Sequence, residues 1–119
     1  RRREIAERYD EELRSLPITT PYQATGTNSS YHLYPIRINE ANSEKTQRQV
    51  YDALLLNGIG ANLHYIPVHR QPFYEDRGFK SGDFPEAEKF HNEAISIPIH
   101  SSLSSEYQDI VINALHDIF

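Results

Sequence analysis

The run HYIPVHRQPFY, from His64 to Tyr74, sets two imidazoles, a guanidinium, two phenols and two prolines within eleven positions. Imidazoles and phenols are groups that donate hydrogen bonds, move protons or ligate metals. His64 and His69 lie five apart, with Glu75 and Asp76 downstream as oxygen donors. Zinc sites built on a helix use a spacing of four so that both rings share one face. Pro67 forbids that helix here, and on a strand positions five apart point to opposite faces. No cysteine completes a ligand set, so the expectation is no metal.

Nucleophilic catalysis finds little support. Ser101, Ser102, Ser104 and Ser105 surround His100, but no strained nucleophile turn or Gly-rich oxyanion loop accompanies them, so they read as helix-capping groups. Glu86 and Glu88 read as solvating carboxylates on a helix surface. No Gly-x-Gly-x-x-Gly or phosphate-loop pattern is present. What remains is a loop stiffened by Pro67 and Pro72, whose polar rings either face a ligand supplied from elsewhere or pack an ordinary turn. The residues leave both readings open.

Residues 1–16 carry Ile5, Ala6, Tyr9, Leu13 and Leu16 at helical spacing, and Pro17 stops that helix. Residues 17–30 shift to Pro, Thr, Gly, Asn and Ser and read as a loop. YHLYPIRI (31–38) reads as a strand, with Pro35 confined to an edge or a bulge. Ser43 is the expected cap of a helix reaching Asn57, with Val50, Tyr51, Leu54 and Leu55 inward and Asn57-Gly58 ending it. IGANLHYI (59–66) is the next expected strand, followed by a long loop to Gly82. Asp83-Phe-Pro-Glu86 has a capping-box pattern, and Phe84, Ala87, Phe90 and Ala94 continue on one face. A short strand at 95–99 and a helix capped by Ser104 close the chain, the helix bearing Tyr107, Ile110, Val111, Ala114, Leu115 and Ile118. This order predicts an α+β fold, a small antiparallel sheet of about three strands with helices on one face.

Composition narrows the function classes. The 119 residues suit one modest core, and the net charge of −5 argues against a nucleic-acid partner, which would need a basic face. The absence of cysteine removes disulfides and thiol nucleophiles, and no apolar run approaches the ~18 residues of a membrane span. A cytoplasmic protein without a membrane partner is expected. The chain holds no methionine and opens Arg-Arg-Arg inside an amphipathic pattern, so it reads as a piece of a longer polypeptide.

GIGANLHYIPVHRQPFY (58–74), followed by FPEAEKFHNEAISIPIHSSLSSEYQDIVINAL (84–115), resembles the C-terminal region of the DegT/DnrJ/StrS sugar aminotransferases. The elements carrying the likeness are a Gly-Ile, a His-Tyr-x-Pro-x-His-x-x-Pro-x-Tyr run, Pro-x-Ala-Glu, an Ile-x-Ile-Pro strand and a Leu-Ser-x-Glu helix start, with YHLYPIRI upstream. Pro35 departs from the β-branched residue usual there. Within that family the likeness is nearest to the enzymes that aminate C4 of a UDP-linked 4-keto-6-deoxy-N-acetylhexosamine for pseudaminic acid.

The resemblance implies the small domain of a fold-type-I transaminase dependent on pyridoxal 5'-phosphate (PLP). Glutamate would be the amino donor, a nucleotide-linked keto sugar the acceptor, and the parent a homodimer. Residues 1–16 would be an interdomain helix, 17–30 a linker and 31–119 the small domain, with the PLP-binding domain outside the chain. Lys45, Lys80 and Lys89 match no Schiff-base lysine context, so no catalytic or cofactor-binding residue and no bound PLP are expected here. His64, Tyr65, His69 and Arg70 would line the substrate cleft. The rivals are a non-transaminating member of the family and a stand-alone interaction module docking through the 1–16 helix.

Overall fold

A computed structural model describes residues 1–39 and 41–119. Helix α1 (Arg2–Glu12) leads to a two-residue strand β1 (Ile18–Thr19), then β2 (Tyr34–Ile38) and α2 (Gln47–Leu56). A 3-10 turn (Val68–Arg70) and a single helical turn α3 (Pro72–Glu75) precede α4 (Pro85–Glu93), which runs directly into β3 (Ala94–Ile97); α5 (Ser105–Ile118) ends the chain. The sheet is antiparallel in the order β1-β2-β3, with Ile18 opposite Ile38 and Ile36 opposite Ile95. The expected α+β class with a three-stranded antiparallel sheet is therefore the observed one.

Alternation along β2 places the core. Tyr34, Ile36 and Ile38 are buried and face the helices, while Pro35 and Arg37 between them are half-buried. Behind the buried face lie Ile5, Ala6, Tyr9 and Leu13 of the α1 segment, Val50 and Leu54 of α2, and Val111, Ile112 and Leu115 of α5. The α1 stripe is thus covered within this chain. Buried polar groups are satisfied: Gln108 Nε2 donates to Ile5 O at 2.9 Å and Tyr9 Oη to Pro98 O at 2.9 Å. Among the described residues no buried side-chain N or O lacks a partner.

Several expected elements differ. Strand β1 emerges from the expected 17–30 loop, because the backbone after Pro17 runs alongside β2 and pairs at Ile18 and Thr19. Residues 59–66 form no strand; only Asn62 pairs, bridging Ser96 through bonds of 2.8 and 3.0 Å at the outer edge of β3. The chain leaves that edge at once, the His64 side chain meeting Ser96 Oγ instead. Pro35 sits in the central strand, yet β1 extends only as far as Arg37, so β2 has one neighbour alongside the proline. A missing donor is tolerated there.

The cap of α2 is Thr46 rather than Ser43. Its hydroxyl accepts from Gln49 N and the Gln49 side chain returns to Thr46 N, a reciprocal capping box. Leu55, expected inward, is exposed. The pattern at Asp83 yields no cap: Phe84 holds the N-cap position of α4 and Asp83 Oδ2 instead accepts Lys80 N at 2.8 Å. Ser104 caps α5 as expected, accepting Tyr107 N at 3.1 Å.

Candidate functional site

Every residue from 71 to 87 is exposed, although the segment carries Phe73, Tyr74, Phe79 and Phe84. With Tyr65 and Val68, at 72% and 64% exposure, it presents an apolar stretch of surface. Its backbone is nevertheless well bonded. Pro72 starts α3 with its ring where an amide would be orphaned, Tyr74 N and Glu75 N both reach Gln71 O, and Gly78 at φ +96° turns the chain. The rings then follow one another: Phe73 and Tyr74 have centroids 5.2 Å apart, Tyr74 and Phe79 6.1 Å, Phe79 and Phe84 6.1 Å, and Phe84 and His69 4.9 Å. A groove of about 360 Å³ lies among Val68, His69, Tyr74, Phe79, Phe84 and Ala87.

The four residues expected to line a cleft fall in different surroundings. His64 is half-buried, its Nδ1 2.9 Å from Ser96 Oγ, and faces a cleft of about 370 Å³ shared with His32 and His100. Tyr65, joined to it by a cis peptide, points to solvent with its ring 4.6 Å from the His64 ring. His69 is buried, with Nε2 2.7 Å from Glu88 Oε1. Arg70 is half-exposed, bonds Glu75 at 2.8 Å and borders a separate polar cleft with Glu88 and His91. His64 and Arg70 therefore serve two clefts.

Glu88 departs from its expected solvating role. Besides His69, Oε1 accepts Gly82 N at 2.8 Å and Oε2 accepts Ser81 Oγ at 3.2 Å. The His69 bond, followed by that of the Gly82 amide, holds the carboxyl below its usual range. The one sequence signal for this is its place four residues after Phe84, which puts carboxylate and ring on one helix face beside His69.

A second arrangement also escapes the pattern of the sequence. Arg37, on the sheet face away from the core, meets Glu93 at 2.9 and 2.5 Å and lies 5.7 Å above the Phe90 ring. Gln47 Nε2, in the first turn of α2, caps the end of α4 by donating to His91 O and Ala94 O, both at 2.8 Å. The Arg37 contacts tie α4, and with it Glu88, to the sheet, and those of Gln47 tie it to α2.

The described residues contain no group of three or more His, Asp or Glu side chains placed to hold a metal ion, and no helix long and apolar enough to cross a membrane. Lys45, Lys80 and Lys89 are all exposed. A Schiff-base lysine is activated by desolvation or by a neighbouring cation, and none of these three is in a desolvated setting.

The profile of the DegT/DnrJ/EryC1/StrS aminotransferase family matches residues 1–116. The spore coat polysaccharide biosynthesis protein SpsC of Bacillus subtilis is 35% identical over 121 residues, covering 99% of this chain and 31% of that protein. The structure of DesV from S. venezuelae, solved with a ketimine intermediate, superposes with a TM-score of 0.89 at 30% identity, over 98% of this chain and 30% of that one. Helicobacter pylori PseC, an aminotransferase of pseudaminic acid biosynthesis, superposes with a TM-score of 0.84 at 28% identity, over 99% and 32%. A sugar aminotransferase of Streptococcus pneumoniae, with a TM-score of 0.83 at 28% identity over 99% and 31%, is solved in its PLP form. The chain spans about a third of the length of the relatives it matches.

Proposed function

Because this chain belongs to the DegT/DnrJ/EryC1/StrS aminotransferase family, we propose that it is the C-terminal small domain of a PLP-dependent nucleotide-sugar transaminase. The parent moves an amino group from an amino acid, glutamate in this reading, to C4 of a nucleotide-linked 4-keto-6-deoxy sugar for a surface glycan. The observation that carries the proposal is the exposed aromatic tract, on a domain that matches the family almost end to end. Such a face suits a domain that closes a cleft against a larger partner, and the 1–16 helix through which a stand-alone module was expected to dock is covered within this chain.

PLP, when bound, supplies the electron sink for amino transfer. The residues of this chain do not fit the cofactor's anchoring lysine, so the reading puts that lysine outside these 119 residues. This chain's part is to bind and orient. Tyr65 offers a phenol at the surface, His64 an imidazole whose Nδ1 is already held by Ser96, and Arg70 a charge held toward its cleft by Glu75. Such donors suit sugar hydroxyls and a diphosphate. His69 acts from beneath, supporting the tract. Residues 1–16 then lead in from the larger domain, 17–30 link, and 31–119 form the small domain of a homodimeric cytoplasmic parent.

The test uses the full-length enzyme with glutamate and a UDP-4-keto-6-deoxy-N-acetylhexosamine. Amino-sugar product with a cycling PLP absorbance is expected. Absence of both across a panel of keto-sugar nucleotides overturns the reading. His64→Ala and Tyr65→Ala together should raise KM for the sugar nucleotide about tenfold or more, the loss of one or two charge-assisted or neutral hydrogen bonds. Unchanged kinetics would leave these side chains without a substrate role.

A further inference from the structure

The 76–84 segment contains no helix or strand and no buried residue, yet it lies folded against the tract. One side chain hydrogen-bonds it to α4. Glu88 accepts from the 3-10 turn through His69 Nε2, and from the 76–84 segment through Ser81 Oγ and Gly82 N, three bonds converging on one carboxylate. The segment's other side-chain bonds are Arg77 Nη1 to Phe73 O of α3, at 2.7 Å, and Asp83 to Lys80 N, internal to it; neither reaches α4. Since the carboxylate accepts only, the shared proton resides on His69 Nε2. Phe84, the N-cap residue of α4 one turn earlier, lies with its ring tilted against the same imidazole, so ring and carboxylate both contact His69. Gly82 takes φ +92°, which lets its amide turn toward Glu88.

We propose that Glu88 is the positioning residue of the tract: its carboxylate fastens the His69 ring and the 79–84 turn to α4, and so holds the aromatic face in one shape. The part of this that concerns substrate rests on the function proposed above; the fastening itself does not. The other charged groups nearby are Arg70 from the 3-10 turn, already bonded to Glu75 of α3, His91 on α4 bordering the same cleft, and Asp83, which accepts Lys80 N inside the turn and which a Glu88→Gln variant leaves in place. Arg70 favours the ionised form of Glu88, and Glu75 is occupied by Arg70. A carboxyl held below its ordinary value of 4.5 by these bonds favours the folded turn above that pH. The contribution is lost as pH falls through the lower, folded value.

Amide hydrogen exchange, read residue by residue on this chain between pH 3 and 7, tests the fastening. In Glu88→Ala the protection factor at Gly82 should fall at least tenfold while that of Ser96, bridged to Asn62, stays within twofold. Glu88→Gln keeps an acceptor but no charge. At neutral pH it should match the wild-type chain below the folded carboxyl value, with the acid-dependent step gone. An unchanged Gly82 amide in the alanine variant, or the same pH step in the glutamine variant, overturns the proposal. If the alanine variant unfolds entirely, the glutamine profile decides alone. In the full-length enzyme, Glu88→Gln should raise KM for the sugar nucleotide severalfold and leave kcat within twofold. An unaltered KM despite a loosened turn defeats the positioning role. A wild-type parent without any transamination instead defeats the proposed function and leaves the exchange result standing.

Discussion

Tyr9 and Tyr34 in the core, and Tyr65, Phe73, Phe79 and Phe84 at the surface, are residues of one kind with opposite fates. The first pair is fully buried, rings 5.1 Å apart, and each hydroxyl ends on an acceptor: Pro98 O for Tyr9 and Asp10 Oδ1, at 2.5 Å, for Tyr34. Burial raises both phenol pKa values well above the ordinary tyrosine value. The second group is 41–72% exposed; Phe73, Phe79 and Phe84 follow one another along the surface through Tyr74, and Tyr65 lies against the His64 ring. A core aromatic contributes by leaving water within this chain. The tract aromatics have not left water, and in the proposed reading they do so only against the rest of the enzyme.

That contrast can be broken by mutation, the deepest site first. Leu115→Ala removes a fully buried side chain of α5 from the core. It should cost about 2–5 kcal/mol in chemical denaturation of this chain. A loss below about 1 kcal/mol would mean that the core is not tightly packed. Tyr34→Phe keeps the ring but strips Asp10 of its donor, and should cost about 1–3 kcal/mol. The matched change Tyr65→Phe should leave stability within about 0.5 kcal/mol, because that hydroxyl is in water. Equal losses for the two would erase the distinction between the regions. Val68→Ala, at the rim of the aromatic groove, should be nearly silent in this chain, within about 0.5 kcal/mol. In the full-length enzyme it should destabilise the joined domains by more, as thermal denaturation of the two forms would record.

Local patterns were enough to locate α1, α5 with its Ser104 cap, and the β2 and β3 segments, although in α5 the buried face takes in Gln108 and Ile112 and leaves Ile110 of the expected stripe exposed. The small antiparallel sheet followed from their order. The motif run from Gly58 to Leu115 likewise carried the family, since its elements depend on residue identity and spacing alone. Tertiary structure decided the rest. Residues 59–66 have a strand's composition, but pairing needs a partner edge, and only Asn62 meets one. β1 became a strand from a sequence resembling a loop because β2 offered it an open edge. Ser43 was the expected cap of α2, and the reciprocal bond with Gln49 puts Thr46 there instead. Glu88 looked like one more surface carboxylate. Its partners lie 19, 7 and 6 residues away, and their convergence is a property of the folded chain that no local pattern encodes. The same holds for His64 and Arg70: the sequence placed them six residues apart on one tract, and the turn between them, built by Pro67 and the 3-10 residues, sent them to different clefts.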